Sequence, residues 1–296
     1  MICLVGEQPL PNLLPVRYDE PRHVVLVYTE GTEQVSKRLK KVFHGEALVY
    51  PLQVQPFDIP AIRHAMEEFI RGRAWKPDQV IFNLTGGTKA MAFAAYSLAE
   101  AWRCRFIYLE SAEATDWLYR YRFDRDGTVL LDDERSVPAV IKLDNYLVAH
   151  LDSYLHKDFS SDKGGQFEEA VYQALKPVID ELDHGIQAGG ALDIDLVFRC
   201  GNQVGIAEVK HGTLSKKGID QLNTAGRREF LGIYTKKFLI AGTTPPPDRP
   251  LSNLKELARV SEIKVIELPS YGQTGSLSDQ DRERLVREVA QTLGCW

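Results

Sequence analysis

The sequence lacks the segments that would send a protein into or across a membrane. It contains no run of about 18 apolar residues, and its short apolar start, Met1–Val5, has neither a basic leader nor a cleavage site. Cysteine is also scarce: Cys3, Cys104, Cys200 and Cys295 lie far apart and form no Cys-x-x-Cys pair. The sequence therefore predicts neither a disulfide framework nor a zinc site, and it favours a reducing cytoplasm over secretion.

An excess of positive charge is missing as well. The formal net charge is −5 and the isoelectric point is near 5.9, which argues against a protein held on nucleic acid by bulk charge. The remaining composition, 44% hydrophobic and 26% charged residues, is that of an ordinary globular protein and excludes disorder and collagen-like repetition. At roughly 100–200 residues per domain, the 296 residues predict two domains.

The first half of the chain alternates apolar, β-branched runs with amphipathic segments, which is typical of an α/β fold with a parallel sheet. The predicted strands are Met1–Val5, His23–Thr29, Ala47–Val54, Gln79–Leu84 and Cys104–Leu109. A hairpin around Asp126-Gly127 closes this domain. A polar, glycine-rich segment, Ser160–Gly165, marks the end of a linker. The predicted organisation is a first domain at residues 1–135, a linker at 136–163 and a second domain at 164–296.

The second domain opens with a predicted helix from Gln166 to about Leu182, which Pro177 should kink or end. Two strands follow it, Leu192–Phe198 and Gln203–Val209. Further helices and strands complete an α/β pattern, and the sequence contains no internal repeat.

Three acidic residues lie on the opening helix and on the two strands that follow it, where they can form a catalytic site. Glu168 lies on the opening helix, Asp195 lies inside an apolar strand, and Glu208 ends the next strand. Strand alternation puts Glu208 and Lys210 on one face of the sheet and Val209 on the other, in the core. Two carboxylates with a backbone carbonyl, here that of Val209, suit a hard divalent ion such as Mg²⁺. Lys210 can then orient a metal-bound water or offset charge on a phosphate.

A lone Glu-x-Lys is usually a solvated ion pair on an edge strand. Here, however, a helix acid, a strand aspartate and a Glu-Val-Lys occur in one order, and this arrangement resembles the PD-(D/E)xK nuclease superfamily over roughly residues 164–241. The resemblance implies that Asp195 and Glu208 bind Mg²⁺ or Mn²⁺, that Lys210 is the catalytic lysine, and that Glu168 is the acid of the helix.

Two further residues enter through the same resemblance. Asp193, two positions before the aspartate, is acidic in some relatives, and Gln221, on the following helix, contacts the site in many of these enzymes. An exposed polar residue is the alternative for Gln221. Between Arg199 and Lys237 the chain carries eight basic and three acidic residues, so this segment offers a nucleic acid a local binding surface. A solvated helix face would give a similar surplus.

The most informative segment of the first domain is a glycine-rich turn between a predicted strand and the apolar helix Ala90–Trp102. It consists of Thr85, Gly86, Gly87, Thr88 and Lys89. Glycines let a backbone approach a ligand closely, and a helix N-terminus offers free amides to an anion, so the turn predicts a cradle for a phosphate or nucleotide. It has neither the Walker nor the dinucleotide spacing. The alternative is a plain tight turn with Thr88 as helix N-cap.

A second set of residues leaves the first two strands at what should be the same edge of the sheet, where ligands of open α/β folds bind. It consists of Gly6, Glu7, Gln8, Pro11, Asn12 and Thr29. Together the two segments resemble the CRISPR-associated Rossmann fold (CARF) sensor domain, over roughly residues 1–135. The resemblance implies a homodimer whose joined pockets bind a cyclic oligoadenylate, usually cyclic tetra-adenylate.

The two resemblances combined make the chain similar to the CARF–nuclease fusions of type III CRISPR defence. They imply an α/β fold, with an N-terminal Rossmann-like CARF domain followed by a restriction-endonuclease-like domain. They also imply a metal-dependent nuclease that a cyclic oligoadenylate switches on and that cuts DNA or RNA. The rival hypothesis is a ligand-sensing regulator that binds nucleic acid without cutting it. The intact carboxylates argue against that rival, because a binding module has no need for two carboxylates facing a phosphate.

Overall fold

The computed structural model describes residues 1–112, 115–190, 192–212, 214–243 and 252–295. The chain divides into two compact units. The first comprises Met1–Ile141 with Val148–His150, and the second comprises Lys142–Leu147 with Leu151–Trp296. Within the described residues, no helix is long and apolar enough to cross a membrane.

The first unit is built on a seven-stranded sheet. Its strands are β1 (Ile2–Leu4), β2 (His23–Tyr28), β3 (Leu48–Gln53), β4 (Ile81–Asn83), β5 (Arg105–Ala112), β6 (Thr115–Phe123) and β7 (Val129–Ser136). Their order is β3-β2-β1-β4-β5-β6-β7; the first five run parallel, and β6 and β7 pair antiparallel. The predicted α/β fold with a parallel, Rossmann-like sheet is thus confirmed, as is the hairpin at Asp126-Gly127, where Gly127 has a φ of 96°.

Four helices connect these strands: α1 (Leu10–Asp19), α2 (Glu33–Val42), α3 (Ile59–Arg71) and α4 (Lys89–Trp102). Short 3-10 turns lie at Glu30–Thr32 and Pro77–Gln79. The core joins α3 and α4 to the sheet, with Ile62, Phe82 and Leu98 fully buried. This burial fixes the first turn of α4 against the ends of β1 and β4.

The second unit contains a six-stranded mixed sheet, and helix α5 (Leu143–Leu151) precedes it in sequence. Its strands are β8 (Leu155–His156), β9 (Glu181–Ala188), β10 (Leu192–Cys200), β11 (Gln203–Lys210), β12 (Lys236–Ala241) and β13 (Ile263–Glu267). Its helices are α6 (Lys163–Leu175), α7 (Lys216–Ala225), α8 (Ser252–Val260), α9 (Pro269–Thr274) and α10 (Asp279–Leu293). The order is β13-β12-β11-β10-β9-β8; β8 to β11 pair antiparallel, and β11 to β13 pair parallel.

Helix α6 is shorter than predicted. It ends at Leu175, two residues before Pro177, because proline cannot continue a helix, and the residues assigned to its last turn lead into β9. On one side of the sheet, α6 and α10 cover a core that includes the fully buried Phe167, Phe198 and Phe238. The other side carries α7, which lies over the Glu208 side chain.

A disulfide joins Cys200, at the end of β10, to Cys295, with 5.5 Å between their Cα atoms. The expectation that the cysteines form no disulfide is therefore wrong for this pair, because a separation of 95 residues in sequence does not prevent contact in the fold. Cys3 and Cys104 are buried and free.

Thiol titration tests this disulfide. Unfolded but unreduced protein should react at two thiols and reduced protein at four. Reduction should lower the free energy of unfolding by about 2–5 kcal/mol, since it releases a long loop in the unfolded chain. The Cys295→Ser variant should lose a similar amount, and reduction should then change nothing further. Four reactive thiols before reduction would contradict the disulfide.

Candidate functional site

Two neighbouring strands of the second unit bring acidic side chains together. The register pairs Leu196 with Ala207, which sets Asp195 beside Glu208 across the β10–β11 ladder. Because side chains alternate along a strand, Lys210 lies on the same face as Glu208. The sequence thus explains the meeting of residues that are 13 positions apart, since the turn between the two strands folds one back on the other.

The contacts among these residues form a charged cluster. The Lys210 ammonium forms an ion pair with the Glu208 carboxylate and lies 3.9 Å from Asp195 Oδ2. Asp195 Oδ2 also accepts a hydrogen bond of 2.6 Å from the backbone N–H of Val209. The ion pair and this hydrogen bond hold the Asp195 and Glu208 carboxylates at one edge of the sheet. We call Glu168, Asp195, Glu208 and Lys210 the acidic site.

Helix α7 covers part of the acidic site. Glu208 is only 2% exposed. Gly218 of α7 faces it, and a Cβ at this position would lie 3.6 Å from Glu208 Cγ and 2.9 Å from Leu239 Cδ1. The missing side chain of Gly218 therefore lets the helix close over the carboxylate. Asp195 and Lys210 stay half-buried at the open end.

Burial and mutual repulsion perturb the ionisation of the acidic site. Burial, together with the charge of Asp195, raises the pKa of Glu168 to about 7 and that of Glu208 to about 7. Burial also raises the pKa of Asp195, although Lys210 and the Val209 N–H oppose the rise. Burial alone would lower the pKa of Lys210, but the surrounding carboxylates raise it above its usual value. The cluster thus carries more negative charge than one lysine can balance.

This donor set fits a hard divalent cation. Oxygen ligands are those that Mg²⁺ and Mn²⁺ prefer, and a divalent charge would relieve the repulsion that raises the carboxyl pKa values. Among the residues that the structure describes, no three His, Cys, Asp or Glu side chains form a ready metal cage. Mg²⁺ commonly takes few protein ligands, since it keeps several waters and binds substrate oxygens.

The two supporting residues lie on the same side of the sheet. Asp193 is exposed and accepts a weak, 3.4 Å hydrogen bond from Gln187 Nε2. Gln221 Oε1 is buried and has no hydrogen-bond partner within the described part of the chain. Both residues line an open cavity of about 400 Å³ together with Lys216 and Lys217 of α7. Gln221 is thus half-buried and not fully exposed. Lys216 and Lys217, which belong to the predicted basic surplus, lie beside Asp193 in this cavity.

The glycine-rich turn of the first unit lies at a topological switch. Strands β1 and β4 are neighbours in the sheet, and the chain leaves them toward opposite sides, which opens a crevice at their carboxyl ends. The segment after β1, with Gly6, Glu7 and Gln8, meets the turn Thr85–Lys89 at this crevice. The structure thus brings together the two segments that the sequence analysis placed at one edge.

Buried amide side chains hold these two segments in place. Asn83 Nδ2 donates to the Pro11 carbonyl at 2.8 Å and to Asn12 Oδ1 at 3.2 Å. Asn12 Nδ2 donates to the Leu4 carbonyl at 2.9 Å. Asn83 Oδ1 accepts from the Thr85 N–H and hydroxyl at 3.1 and 2.7 Å. Asn12 and Asn83 are fully buried, and Pro11 is buried as well, so Pro11 and Asn12 lie beneath the crevice and support it.

The glycines of the turn lie directly on β1. A Cβ at Gly86 would come within 2.2 Å of the Leu4 carbonyl oxygen, and one at Gly87 would lie 2.9 Å from Leu4 Cβ. Gly87 also has a φ of 74°, which glycine adopts without strain. A Cβ at Gly6 would lie 3.1 Å from the Gly87 backbone nitrogen. The floor of the crevice is therefore backbone, with no room for a side chain.

The three threonines predicted at this edge make internal contacts. Thr85 Oγ1 accepts from the Leu109 N–H at 2.8 Å. Thr88 caps α4 by accepting from the Met91 N–H at 3.2 Å, so the N-cap alternative holds for it, and it also donates to the Pro56 carbonyl at 3.0 Å. Thr29 is buried and bonds to Thr32. Glu7 and Lys89 are exposed and Gln8 is half-buried, so these three side chains form the accessible rim.

Sequence reasoning missed several residues that build the two sites. Asn83 opens the informative segment before the glycine-rich turn, but its buried bonds to Pro11 and Asn12 were not predicted, although a polar residue closing an apolar run signals an inward hydrogen-bonding role. Gly218 gave no signal, because its neighbours across the sheet are distant in sequence. The role of the Val209 N–H toward Asp195 is likewise invisible without the pairing of β10 and β11.

Comparison with family models gives a match to the first unit. Residues 1–124 match the family model described as the Card1 CARF domain, which confirms the predicted CARF resemblance for this part of the chain. No curated protein sequence matches the chain.

Three solved structures share the fold at low sequence identity. Can2 from Sulfobacillus thermosulfidooxidans, in complex with cyclic tetra-adenylate, is 18% identical over 99% of both chains, with a TM-score of 0.72. Protein VC1899 from Vibrio cholerae is 13% identical over 99% of this chain and 97% of its own, with a TM-score of 0.72. A type III CRISPR defence DNA nuclease activated by cyclic oligoadenylate is 18% identical over 87% of this chain and 51% of its own, with a TM-score of 0.59.

The raised pKa of Glu168 predicts a pH-dependent stability. A carboxyl whose folded pKa is about 7, against 4.5 in the unfolded chain, stabilises the fold below pH 4.5, and this contribution is lost as the pH rises toward 7. In a chelating buffer, the free energy of unfolding of the wild type should therefore fall relative to that of Glu168→Gln across this range. Urea unfolding at pH 5 and pH 8 measures the difference.

The exposed neighbour Glu169 provides the matched control for this measurement. Glu169→Gln should follow the wild type at both pH values. A difference between wild type and Glu168→Gln that does not change with pH would contradict the raised pKa.

Proposed function

We propose that the protein is a nuclease that a cyclic oligoadenylate switches on, and that it cuts DNA or RNA with Mg²⁺ or Mn²⁺ in type III CRISPR defence. The observation that carries the proposal is the buried Glu208 carboxylate, which pairs with Lys210, while Lys210 also lies 3.9 Å from Asp195 on the neighbouring strand. The proposal assigns the second unit to the PD-(D/E)xK nucleases. It divides the chain into a sensor domain at residues 1–135, a linker at 136–163 and a nuclease domain at 164–296, working in the cytoplasm.

At the acidic site, Asp195, Glu208 and the Val209 carbonyl are the proposed metal ligands. When bound, the metal would supply Lewis acidity toward a phosphate oxygen and lower the pKa of a coordinated water. Lys210 holds a positive charge beside the carboxylates, where it can bind the scissile phosphate and offset the charge that builds up on its oxygens. Glu168, with its pKa near 7, can accept or hold a proton at the open end of the site.

At the crevice of the first unit, the proposed ligand is cyclic tetra-adenylate. The N-terminus of α4 and the glycine floor present backbone N–H groups, which favour phosphate, and Lys89 adds a charged rim. The family match of this unit and the cyclic tetra-adenylate bound to the similarly folded Can2 support this choice. A cyclic tetramer has internal symmetry, so one ligand can satisfy two copies of the crevice in a two-fold homodimer. The expected stoichiometry is one ligand per dimer.

An activity panel tests the proposal. Purified protein is incubated with single-stranded DNA, duplex DNA or RNA, with Mg²⁺, Mn²⁺ or a chelator, and with cyclic tetra- or hexa-adenylate or neither. The proposal expects cleavage that needs both a metal and a cyclic oligoadenylate. Binding of nucleic acid without cleavage under every condition would favour a non-cutting regulator instead.

The metal ligands give the first functional prediction. Glu208→Gln and Asp195→Asn should each reduce cleavage by at least roughly 100-fold, because a lost ligand raises the barrier by several kcal/mol. Affinity for the activator, measured by calorimetry, should stay near that of the wild type. Glu169→Gln is the control with the same chemical change outside the site. If Glu208→Gln kept a tenth of the wild-type rate, Glu208 would not be a ligand.

Lys89 gives the second functional prediction. Lys89→Ala should weaken activator binding by about 1–3 kcal/mol, the scale of a charged hydrogen bond, and raise the activator concentration needed for cleavage. The maximal cleavage rate should survive. Lys40→Ala, which removes an exposed lysine from the last turn of α2, serves as the control. Unchanged activator binding in Lys89→Ala would remove this residue from the crevice.

A further inference from the structure

A second lysine, Lys157, lies in register with Asp195 and Glu208 of the acidic site. The β9–β10 register pairs Ile186 with Ile194 and His184 with Leu196, so Gly185 lies beside Asp195. The β8–β9 register pairs Leu155 with Gln187 and His156 with Ile186, so the next residue, Lys157, lies beside Gly185. The row across the sheet is therefore Lys157, Gly185, Asp195 and Glu208.

Only a glycine at position 185 allows Lys157 to lie this close to β9. The Lys157 N–H donates to the Gly185 carbonyl at 2.9 Å. Gly185 has a φ of 59°, and a Cβ there would come within 2.0 Å of the Lys157 carbonyl oxygen. Any other residue would push the Lys157 backbone away from the sheet. Because Gly185 has no side chain, nothing from β9 stands between Lys157 and Asp195 on that face.

The position of Lys157 places its charge at the open side of the acidic site. The register and the N–H bond to Gly185 place Lys157 two strands away from Asp195. Strands are about 4.8 Å apart, so the two backbones are separated by about 10 Å, a gap that a phosphate between the two side chains can bridge. The Lys157 ammonium lies close enough to interact with the charges of Glu168 and Asp195. Lys157 is exposed, whereas Lys210 is half-buried against Glu208.

We infer that Lys157 is a second phosphate-binding lysine of the acidic site, which contacts a backbone phosphate of the substrate next to the scissile one. This inference rests on the proposed nuclease function. Lys157 lies at the β8 end of the row, and Lys210 pairs with Glu208 on β11, so a polyanion that crosses from β8 to β11 meets both positive charges. Lys157 thereby positions the strand to be cut, and its role requires its charge and not its packing.

Substrate binding and cleavage by Lys157→Ala test this role. Single-turnover cleavage below saturating substrate should fall about 10- to 100-fold, the effect of one lost charged contact. The loss should lie mainly in substrate affinity. In a Glu208→Gln background, which binds without cutting, the slope of log affinity against log salt should shrink by about 0.7 to 0.9, as expected for one fewer phosphate contact. Lys157→Arg should restore most of the rate.

Lys176→Ala is the matched control, because it removes an exposed lysine at the far end of α6 from Glu168. It should leave both the rate and the salt slope unchanged. Wild-type rate and slope in Lys157→Ala would overturn the inference while leaving the proposed function intact. A loss that Lys157→Arg does not restore, with an unchanged salt slope, would also overturn it by showing a packing role. Absence of cleavage by the wild type under every condition would instead refute the proposed function.

Discussion

The second unit is organised around a carboxylate that has been taken out of water. A buried charge such as that of Glu208 costs several kcal/mol unless its surroundings compensate it. Lys210 supplies the opposite charge, and Asp195 is fixed by the N–H that Val209 turns toward it. Helix α7 can lie over this pair only because Gly218 has no side chain. The Glu208 carboxylate thus constrains the position of α7, the register of β10 and β11, and the placement of Lys210.

In the first unit the buried polar groups are neutral amides and not charges, and they hold the segments of the crevice in place. Asn83 and Asn12 bond to each other and to backbone carbonyls, and they leave few of their hydrogen-bonding groups unused. Fully satisfied buried networks of this kind favour one conformation over others. The crevice between β1 and β4 is therefore preformed, and a ligand need not order it on binding.

Periodicity and motif spacing predicted the parallel sheet and the meeting of Asp195 with Glu208. Other features were hidden for physical reasons. Helix α1 was not predicted because Pro11 and Pro15 interrupt its pattern, although proline is tolerated in its first turn. The predicted opening helix runs to about Leu182 and overlaps the start of β9, since a short apolar segment after Pro177 fits either structure, and the sequence predicts no element over the rest of β9. The bond between Cys200 and Cys295 depends on tertiary contact, which spacing cannot report.

The backbone floor of the crevice limits which of its residues can change during evolution. Since Gly86 and Gly87 cannot accept side chains, drift in sequence has almost no freedom there. On the rim, Glu7 and Lys89 are exposed and Gln8 is half-buried. If the crevice binds a cyclic oligonucleotide as proposed, change of ligand preference among descendants of this chain falls on the rim, while the floor keeps the backbone that faces the phosphate groups. Recognition of the class and discrimination within it would then be inherited separately.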